Sequence, residues 1–223
     1  MPGIIFDQFR AIEAWMRTGS FVMIPLLLVS IVMWTLIINR LFFFRRLYRK
    51  NMSREQAGRF IENNELPPED KYRGAIAFVV TSFLKKRTGQ PEVDTYILDE
   101  ATMETITILN KYLSFIGVLA GAAPLLGLLG TVTGMIATFD IISVFGTGNA
   151  RAMAGGISEA LITTQTGLVI AIPGLYMHGF LEKRADKLKI RISSTGIYLQ
   201  RYIKQENRNY KQEIRNKRQE IRK

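Results

Sequence analysis

Three long stretches of the chain carry no Asp, Glu, Lys or Arg. They cover residues 18–39, 112–139 and 160–181 and are 22, 28 and 22 residues long. About 20 apolar residues in a helix, each rising 1.5 Å, cross the hydrocarbon core of a bilayer. Buried helices of a soluble protein are the alternative, but a chain of 223 residues is too small to bury three such stretches in one core. The pattern predicts an all-α polytopic membrane protein with three transmembrane helices.

The segments between the spans complete the predicted organisation. In chain order we expect an outer-side interfacial amphipathic helix (1–17), transmembrane helix 1 (18–39), a cytoplasmic helical region (40–111), transmembrane helix 2 (112–144), a short periplasmic turn (145–151), transmembrane helix 3 (152–181) and a basic cytoplasmic helical tail (182–223). A frayed end is the alternative for the first segment. A cleaved signal peptide is disfavoured, because Asp7 and Glu13 replace a basic n-region and no small-residue cleavage site precedes Arg40.

Between the first two spans the pattern predicts two short helices. Ser53 is expected to cap the first one, at 53–63, with Gln56 in the capping-box position. The second is expected from about Tyr72 to Lys86, ending before the breaker Gly89-Gln90-Pro91. Its expected apolar stripe comprises Ala75, Phe78, Val79, Ser82 and Phe83.

Two longer helices are predicted to extend out of the membrane. A helix that starts near Glu92 meets no breaker before the second span, so we expect one uninterrupted rod. The stretch from Leu181 to about Tyr202 lacks a breaker apart from Gly196, and we expect it to continue the third span. Both spans are therefore predicted to reach tens of ångströms into the cytoplasm.

The distribution of charge predicts the orientation. The chain has a net charge of +11; residues 1–17 are balanced, whereas residues 40–108 hold 12 basic groups and residues 182–223 hold 14 against 5 acidic ones. Basic residues near span ends stay in the cytoplasm, which places the N-terminus outside and the C-terminus inside. The residues nearest the spans are candidates for electrostatic contact with anionic lipids or a partner: Arg45, Arg46, Arg49, Lys50, Lys183 and Arg184.

Composition argues against several classes of protein. Without cysteine there is no disulfide scaffold, cysteine-ligated metal or cysteine nucleophile, and the single histidine, His178, disfavours a metal centre or a Ser-His-Asp hydrolase. We therefore expect no metal, no cofactor and no enzyme activity. The basic tail suggests nucleic acid, but no nucleic-acid motif supports it. Lipid or subunit contact is favoured, because Glu206, Glu213 and Glu220 recur every seven residues, as in self-associating helices.

Small residues in the second and third spans predict close helix packing. Gly117 with Gly121, and Gly130 with Gly134, form two G-x-x-x-G pairs, which let helix backbones approach in lipid. The further residues to which we assign packing roles are Pro124, Gly127, Gly167 and Pro173.

Polar residues in the third span predict a polar lumen. Glu159 lies about two turns inside the span, where a carboxylate is costly unless hydrated, paired or protonated; snorkelling into the interface is the alternative. Thr163, Thr164, Gln165 and Thr166 follow, and Thr138 is polar in the second span. Glu159 and Thr164 are roughly 140° apart on an ideal helix, so they do not both face one axis. For His178 we favour an interfacial position over a proton relay.

Two motifs, APLLGLLGTVTGM at 123–135 and GISEALITTQTGLVIAIPGL at 156–175, resemble those of the MotA/TolQ/ExbB proton channel family, in its ExbB/TolQ branch. The order, spacing and topology are similar over roughly residues 113–187. By position in these motifs, the pore-facing threonines of the family correspond to Thr131 and Thr164, and its glutamate to Glu159.

The resemblance implies a multi-pass subunit of the inner membrane of Gram-negative bacteria that assembles as a homopentamer. Its second and third spans line a pore that holds two copies of an ExbD/TolR-like single-span partner, whose aspartate is protonated and released. Proton motive force then drives motion of the partner and, through a TonB-like protein, outer-membrane transport. The residues agree in one respect: no carboxylate lies near the middle of any span. A proton path needs such a group at mid-depth, so a partner must bring it.

Other functions stay open at this point. A TolQ-like subunit of an envelope-maintenance or other proton-driven machine has the same sequence features. A non-conducting scaffold would use the small residues only for packing and the basic tail for docking. An intramembrane enzyme is poorly supported, because the spans hold no Ser/His pair and no metal-ligand spacing.

Overall fold

A computed structural model describes residues 21–49, 52–68 and 70–220. In these ranges the chain forms α1 (Met23–Arg49), α2 (Arg54–Glu62), α3 (Ala75–Lys86), α4 (Pro91–Asn110), α5 (Leu113–Phe145) and α6 (Ala150–Glu220), with a 3-10 turn at Gly146–Gly148. Three helical stretches there are long and apolar enough to cross a membrane, which confirms the predicted all-α membrane fold. The expected interfacial helix at 1–17 and Lys50 lie outside the described residues.

The chain divides into two compact units. The span unit comprises the described residues up to Asn39 together with Tyr112–Phe180. The polar unit comprises Arg40–Lys111 and the chain from Leu181 onward. Because α1 and α6 are continuous helices, each contributes one part to the span unit and another to the polar unit.

The capping box of α2 forms as predicted. The Ser53 hydroxyl accepts the backbone N–H of Gln56 at 3.2 Å, and the Gln56 side-chain oxygen accepts the backbone N–H of Ser53 at 3.1 Å. These two bonds satisfy two of the donors that a helix start leaves open. The helix ends at Glu62, five residues before Pro67 of the Pro67-Pro68 pair.

Helix α3 differs from the prediction in two ways. It starts at Ala75, after Gly74, rather than near Tyr72. The predicted stripe is wrong at Phe78, which is 53% exposed, whereas Ile76 and Val80 outside the stripe are buried. The helix is apolar on most sides, so the periodicity of its sequence did not identify the face that stays open.

The break between α3 and α4 forms where the sequence predicts it. Gly89 has a positive φ of 80°, and α4 begins at Pro91. The carboxylate of Asp94, which is 2% exposed, accepts hydrogen bonds from the backbone N–H groups of Thr88 and Gly89 at 2.8 and 3.1 Å. Arg87 lies 3.5 Å from the same carboxylate and compensates its charge. The turn is therefore held by a buried acid.

The second part of α6 packs against α2 and α4 within the polar unit. A Cβ placed on Gly196 would lie 3.0 Å from the hydroxyl oxygen of Thr102, so the absence of a side chain lets the two helices approach. The Tyr202 hydroxyl donates to Glu62 at 2.7 Å, and Arg54 donates to the Ser194 hydroxyl at 2.8 Å. Gly196 thus serves packing and does not interrupt α6.

The uninterrupted rod expected from Glu92 into the second span is wrong at two residues. Lys111 and Tyr112 separate α4 from α5, and Tyr112 has a left-handed φ of 67°. Such a conformation is uncommon for a residue other than glycine. Neither residue is a breaker by type, so the turn could not be predicted from residue types.

The side chain of Arg40 caps the end of α4. Its guanidinium donates to the carbonyls of Ile108 at 2.7 Å, Leu109 at 3.2 Å and Lys111 at 2.5 Å. The last carbonyls of a helix have no partner within the helix, so this cation satisfies them and complements the negative end of the helix dipole. Arg40 is only 3% exposed, and its guanidinium lies 4.7 Å from the centre of the Phe43 ring.

We predict that Arg40→Met lowers the free energy of unfolding by about 2–3 kcal/mol, because buried carbonyls lose their donor while most of the side-chain volume is kept. Thermal unfolding of the purified protein in detergent, followed by circular dichroism, measures the effect. The control is Arg45→Met, which removes the same charge from an exposed position on the same helix. Equal transition temperatures for the two variants would contradict the capping role.

Candidate functional site

Helices α5 and α6 meet along a seam of small residues in the span unit. Gly127, Gly130 and Gly134 of α5 are buried, and they recur every three or four residues, so they lie on one helix face. Ala123 and Thr138 extend the same buried face in both directions. We call this contact the α5–α6 seam.

The seam has almost no space between the two backbones. A Cβ placed on Gly167 would lie 2.7 Å from the carbonyl oxygen of Ala123, and one on Gly127 would lie 3.1 Å from the carbonyl oxygen of Thr163. Real Cβ atoms do not approach other atoms as closely as 2.7 Å. The contact therefore requires glycine at Gly167 and leaves almost no tolerance at Gly127.

Side chains of each helix fill the glycine notches of the other. Thr163, which is fully buried, occupies the notch at Gly130, where a Cβ would lie 2.3 Å from its hydroxyl oxygen. Thr138 occupies the notch at Gly156 at the same distance. Since one of these threonines is on α6 and the other on α5, the two helices interlock from both sides.

The threonine hydroxyls of the seam bond to backbone carbonyls. Thr163 donates to Ala160 at 2.8 Å, and Thr138 donates to Gly134 at 3.0 Å, each within its own helix. The hydroxyl of Thr164 also contacts the opposite helix, with the Gly127 carbonyl 3.2 Å away. In lipid the bonds within one helix satisfy the hydroxyl, and the Thr164–Gly127 bond also holds the two helices together.

Thr131 and Thr164 lie on the same side of the seam. Thr131 is about 40° from Gly127 around an ideal helix, and Thr164 is about 100° from Thr163. Because the two helices run antiparallel, both displacements point to one side, and the Thr164–Gly127 contact marks that side. Each threonine is partly exposed, and Thr131 donates to the Leu128 carbonyl at 2.6 Å. The two hydroxyl oxygens keep lone pairs for an external donor.

Glu159 lies on the other side of the seam. It is about 100° from Ala160 on an ideal helix, in the direction opposite to Thr164. It is half-buried, whereas Asp140, the acid nearest the end of α5, is exposed. The structure therefore does not bring Glu159 together with Thr131 and Thr164.

The predicted packing residues occupy different environments. Gly130 and Gly134 are both in the seam. Gly117 faces the ring of His178, whose Nε2 would lie 2.9 Å from a Cβ on that glycine, and His178 is half-buried. In the described part of the chain, apart from the backbone of its own helix and its sequence neighbours, no heavy atom lies within 4 Å of a Cβ on Gly121, which is exposed. Two prolines, Pro124 and Pro173, lie inside α5 and α6, which both continue past them.

The candidate basic residues are not equivalent either. Arg45, Arg46 and Lys183 are exposed. Arg184 is half-buried, with its guanidinium 5.9 Å from the centre of the Tyr48 ring. Arg49 is the last residue of α1.

Sequence reasoning missed two residues of the seam, Gly156 and Ala160. Thr138 packs against Gly156, and Gly134 packs against Ala160. Gly174 lies outside the seam and contacts Met33 of α1, whose sulfur would lie 2.6 Å from a Cβ there. A signal was present, because positions 156, 163 and 170, like 160, 167 and 174, recur every seven residues as two turns of one face.

The part of the chain that forms the seam is similar to known proteins. The family model described as MotA/TolQ/ExbB proton channel family matches residues 72–194, which include all of α5 and the α6 side of the seam. The chain is 32% identical over 180 residues to "Putative biopolymer transport protein ExbB-like 1" of Synechocystis sp., covering 77% of this chain and 70% of that protein.

Two proteins named "Biopolymer transport protein ExbB" are also similar. The one from Helicobacter pylori is 39% identical over 125 residues, covering 55% of this chain and 86% of its own length. The one from Salmonella typhimurium is 25% identical over 181 residues, covering 75% of this chain and 74% of its own length.

We predict that Gly130→Ala destabilises the span unit, whereas Gly121→Ala does not. The new methyl group at Gly130 collides with Thr163, at a cost of about 1–3 kcal/mol, partly offset by a gain of about 1 kcal/mol in helix propensity. Gly121→Ala has the same gain in helix propensity but causes no collision. Thermal unfolding in detergent compares the two variants, and a lower transition temperature for Gly121→Ala than for Gly130→Ala would refute the seam as described.

Proposed function

The chain belongs to the MotA/TolQ/ExbB proton channel family, and from this premise we propose that it is a proton-conducting motor subunit of the bacterial inner membrane. The observation that carries the proposal is the position of Thr131 and Thr164 on one side of the α5–α6 seam, whose glycine positions leave no room for a side chain. A rigid pair of spans then presents two hydroxyl groups, in fixed register, to whatever lies on that side.

The acid that takes up the proton is proposed to belong to a partner. Between Glu159 and His178 the third span has no carboxylate and no histidine, and α5 has none before Asp140. Hydroxyl groups can orient and pass a proton, but threonine hydroxyls do not ionise near neutral pH. A titratable group must therefore lie opposite them. We propose that an ExbD/TolR-like single-span subunit brings a carboxylate to the Thr131 side of the seam.

Assembly as a homopentamer with this side facing inward is part of the proposal. The span unit exposes large apolar side chains on all three of its helices, among them Trp34, Leu125 and Leu168. Lipid or neighbouring copies must cover them, because water cannot. In a ring of five copies around two partner helices, α5 and α6 face the pore and α1 faces the lipid. The proposed orientation has the N-terminus outside and the basic polar unit in the cytoplasm.

We propose that the resulting motion of the partner is coupled through a TonB-like protein to outer-membrane transport. Service to a TolQ-like envelope machine is the alternative within the same mechanism. A non-conducting scaffold is a second candidate, and one observation favours it: the seam threonines all donate to backbone carbonyls, as residues that serve only packing would.

We predict that Thr131→Val or Thr164→Val abolishes proton-dependent work without loss of assembly. Valine keeps the shape of threonine but removes the hydroxyl, and the interhelical bond lost at Thr164 is worth only about 0.6 kcal/mol in a membrane. Proton flux into proteoliposomes that contain the chain with its single-span partner measures the effect. The control is Thr35→Val on α1, because that exposed hydroxyl makes the same kind of bond, to Ile31 at 2.7 Å.

The two candidate functions give different results in this assay. Flux in the unchanged protein and in Thr35→Val, with none in the other two variants, supports the conducting subunit. Full flux in both Thr131→Val and Thr164→Val contradicts the role of these hydroxyls. A complex that assembles with its partner but passes no protons under an imposed pH gradient and potential supports the scaffold.

A further inference from the structure

A hollow of about 280 Å³ opens on the polar unit where α1, α3 and the connection between α2 and α3 meet. It lies outside the seam and has no part in the proposed proton path. Its lining residues are Phe43, Arg46, Leu47, Pro67, Tyr72, Arg73, Ala77, Phe78, Thr81 and Lys85.

The polar part of the hollow is basic. Arg46, Arg73 and Lys85 line it, and among the residues that the structure describes no acidic side chain does. Arg46 and Lys85 form no ion pair within the described part of the chain. Positive charges gathered around one concave site, with hydroxyl groups of Tyr72 and Thr81 beside them, are suited to a phosphate group.

The other part of the hollow is apolar and extends further. Phe43, Leu47 and Phe78 line it and also line a smaller adjoining hollow with Ala75, Thr105, Ile108 and Leu109. Phe78 is the apolar side chain that α3 leaves 53% exposed. A ligand that fits both parts has an anionic group joined to an apolar chain.

The position of the hollow along α1 fits a membrane-surface ligand. Phe43 and Arg46 follow Asn39, the last residue of the predicted first span, by four and seven residues in one continuous helix. At 1.5 Å per residue they lie roughly 6 and 10 Å beyond the end of the charge-free stretch. The headgroup layer on each side of a bilayer is about 5–8 Å deep, so Phe43 lies within it and the long side chain of Arg46 reaches back into it.

We propose that this hollow binds the headgroup of an anionic phospholipid. Arg46 and Lys85, with Arg73, contact the phosphodiester, and Phe43, Leu47 and Phe78 contact the glycerol and the first methylene groups of the acyl chains. An acidic peptide would satisfy the cations, but it would not account for the apolar half or for the depth at which the hollow lies. The site needs α1 to span the membrane and does not depend on proton conduction.

Native mass spectrometry of the full chain in detergent tests the proposal, with phosphatidylglycerol titrated as the probe. We expect Arg46→Gln/Lys85→Gln to weaken its binding about tenfold or more, since each basic group near a membrane surface contributes on the order of 1 kcal/mol. The matched control is Arg59→Gln/Lys71→Gln, which removes the same charges from exposed positions that do not line the hollow. We expect the control to change binding less than twofold.

Further probes distinguish binding in the hollow from nonspecific electrostatic attraction between the lipid and the basic protein. Weaker binding of phosphatidylcholine than of phosphatidylglycerol, and loss of phosphatidylglycerol affinity in Phe78→Ala, support the proposal. Equal losses in the two double variants overturn it, because binding then depends on net charge alone. Binding of inorganic phosphate or glycerophosphoglycerol as tight as that of the lipid also overturns it, since the apolar half then contributes nothing. Capture of an acidic peptide in preference to phosphatidylglycerol assigns the hollow to a protein and contradicts the proposal as well.

Discussion

Where α5 and α6 meet, their backbones touch at glycine positions and two threonine side chains interlock between them, and the register of the membrane spans depends on this contact. Within lipid, apolar surface gains little by being buried against another helix, so association relies on dispersion at short range and on hydrogen bonds. Gly127 and Gly167 allow the short-range dispersion contact, and the Thr164–Gly127 bond is the hydrogen bond between the two helices. A shift of α5 by one residue would bring Leu126 or Leu128 to the position of Gly127, where there is no room for a side chain, so the arrangement of hydroxyl groups along the seam has one register.

In the polar unit a buried charge, and not a close contact between backbones, holds two helices in register. Helix α4 ends in carbonyls that need donors, and a single guanidinium from α1, about seventy residues earlier in the chain, satisfies them. Buried charge is costly unless it is compensated, which makes Arg40 a strict constraint: the charge is stable only while the helix end is present, and the helix end is satisfied only while the charge is present. Small residues set the geometry of the span unit, whereas buried polar groups such as Arg40 and Asp94 set that of the polar unit.

Local features of the sequence predicted local features of the structure. The charge-free stretches correspond to apolar helices, the Ser53 capping box forms, and Gly89 to Pro91 breaks the chain as expected. The turn at Tyr112 was not predictable in this way, because neither Lys111 nor Tyr112 is a helix breaker by type, and Arg40, which caps the end of α4, lies about seventy residues earlier in the chain. The same holds for the seam: glycine spacing on α5 indicated a packing face, but the partners on α6 are fixed by how two helices fit together. Exposure of Phe78 likewise depends on which neighbours surround α3, and not on its own periodicity.

Helix α6 has no interruption over its 71 residues, and this limits how such a chain can change in length. A loop absorbs an added residue locally, but in a continuous helix one insertion turns everything beyond it by about 100° and advances it by 1.5 Å. Positions before the insertion would keep their contacts while Gly196 and Tyr202 would be directed away from theirs. Related chains are therefore expected to gain or lose residues in the connection between α2 and α3, or beyond the contacts of Tyr202. The length of α6 from the seam to Tyr202 is expected to stay constant or to change by whole pairs of turns.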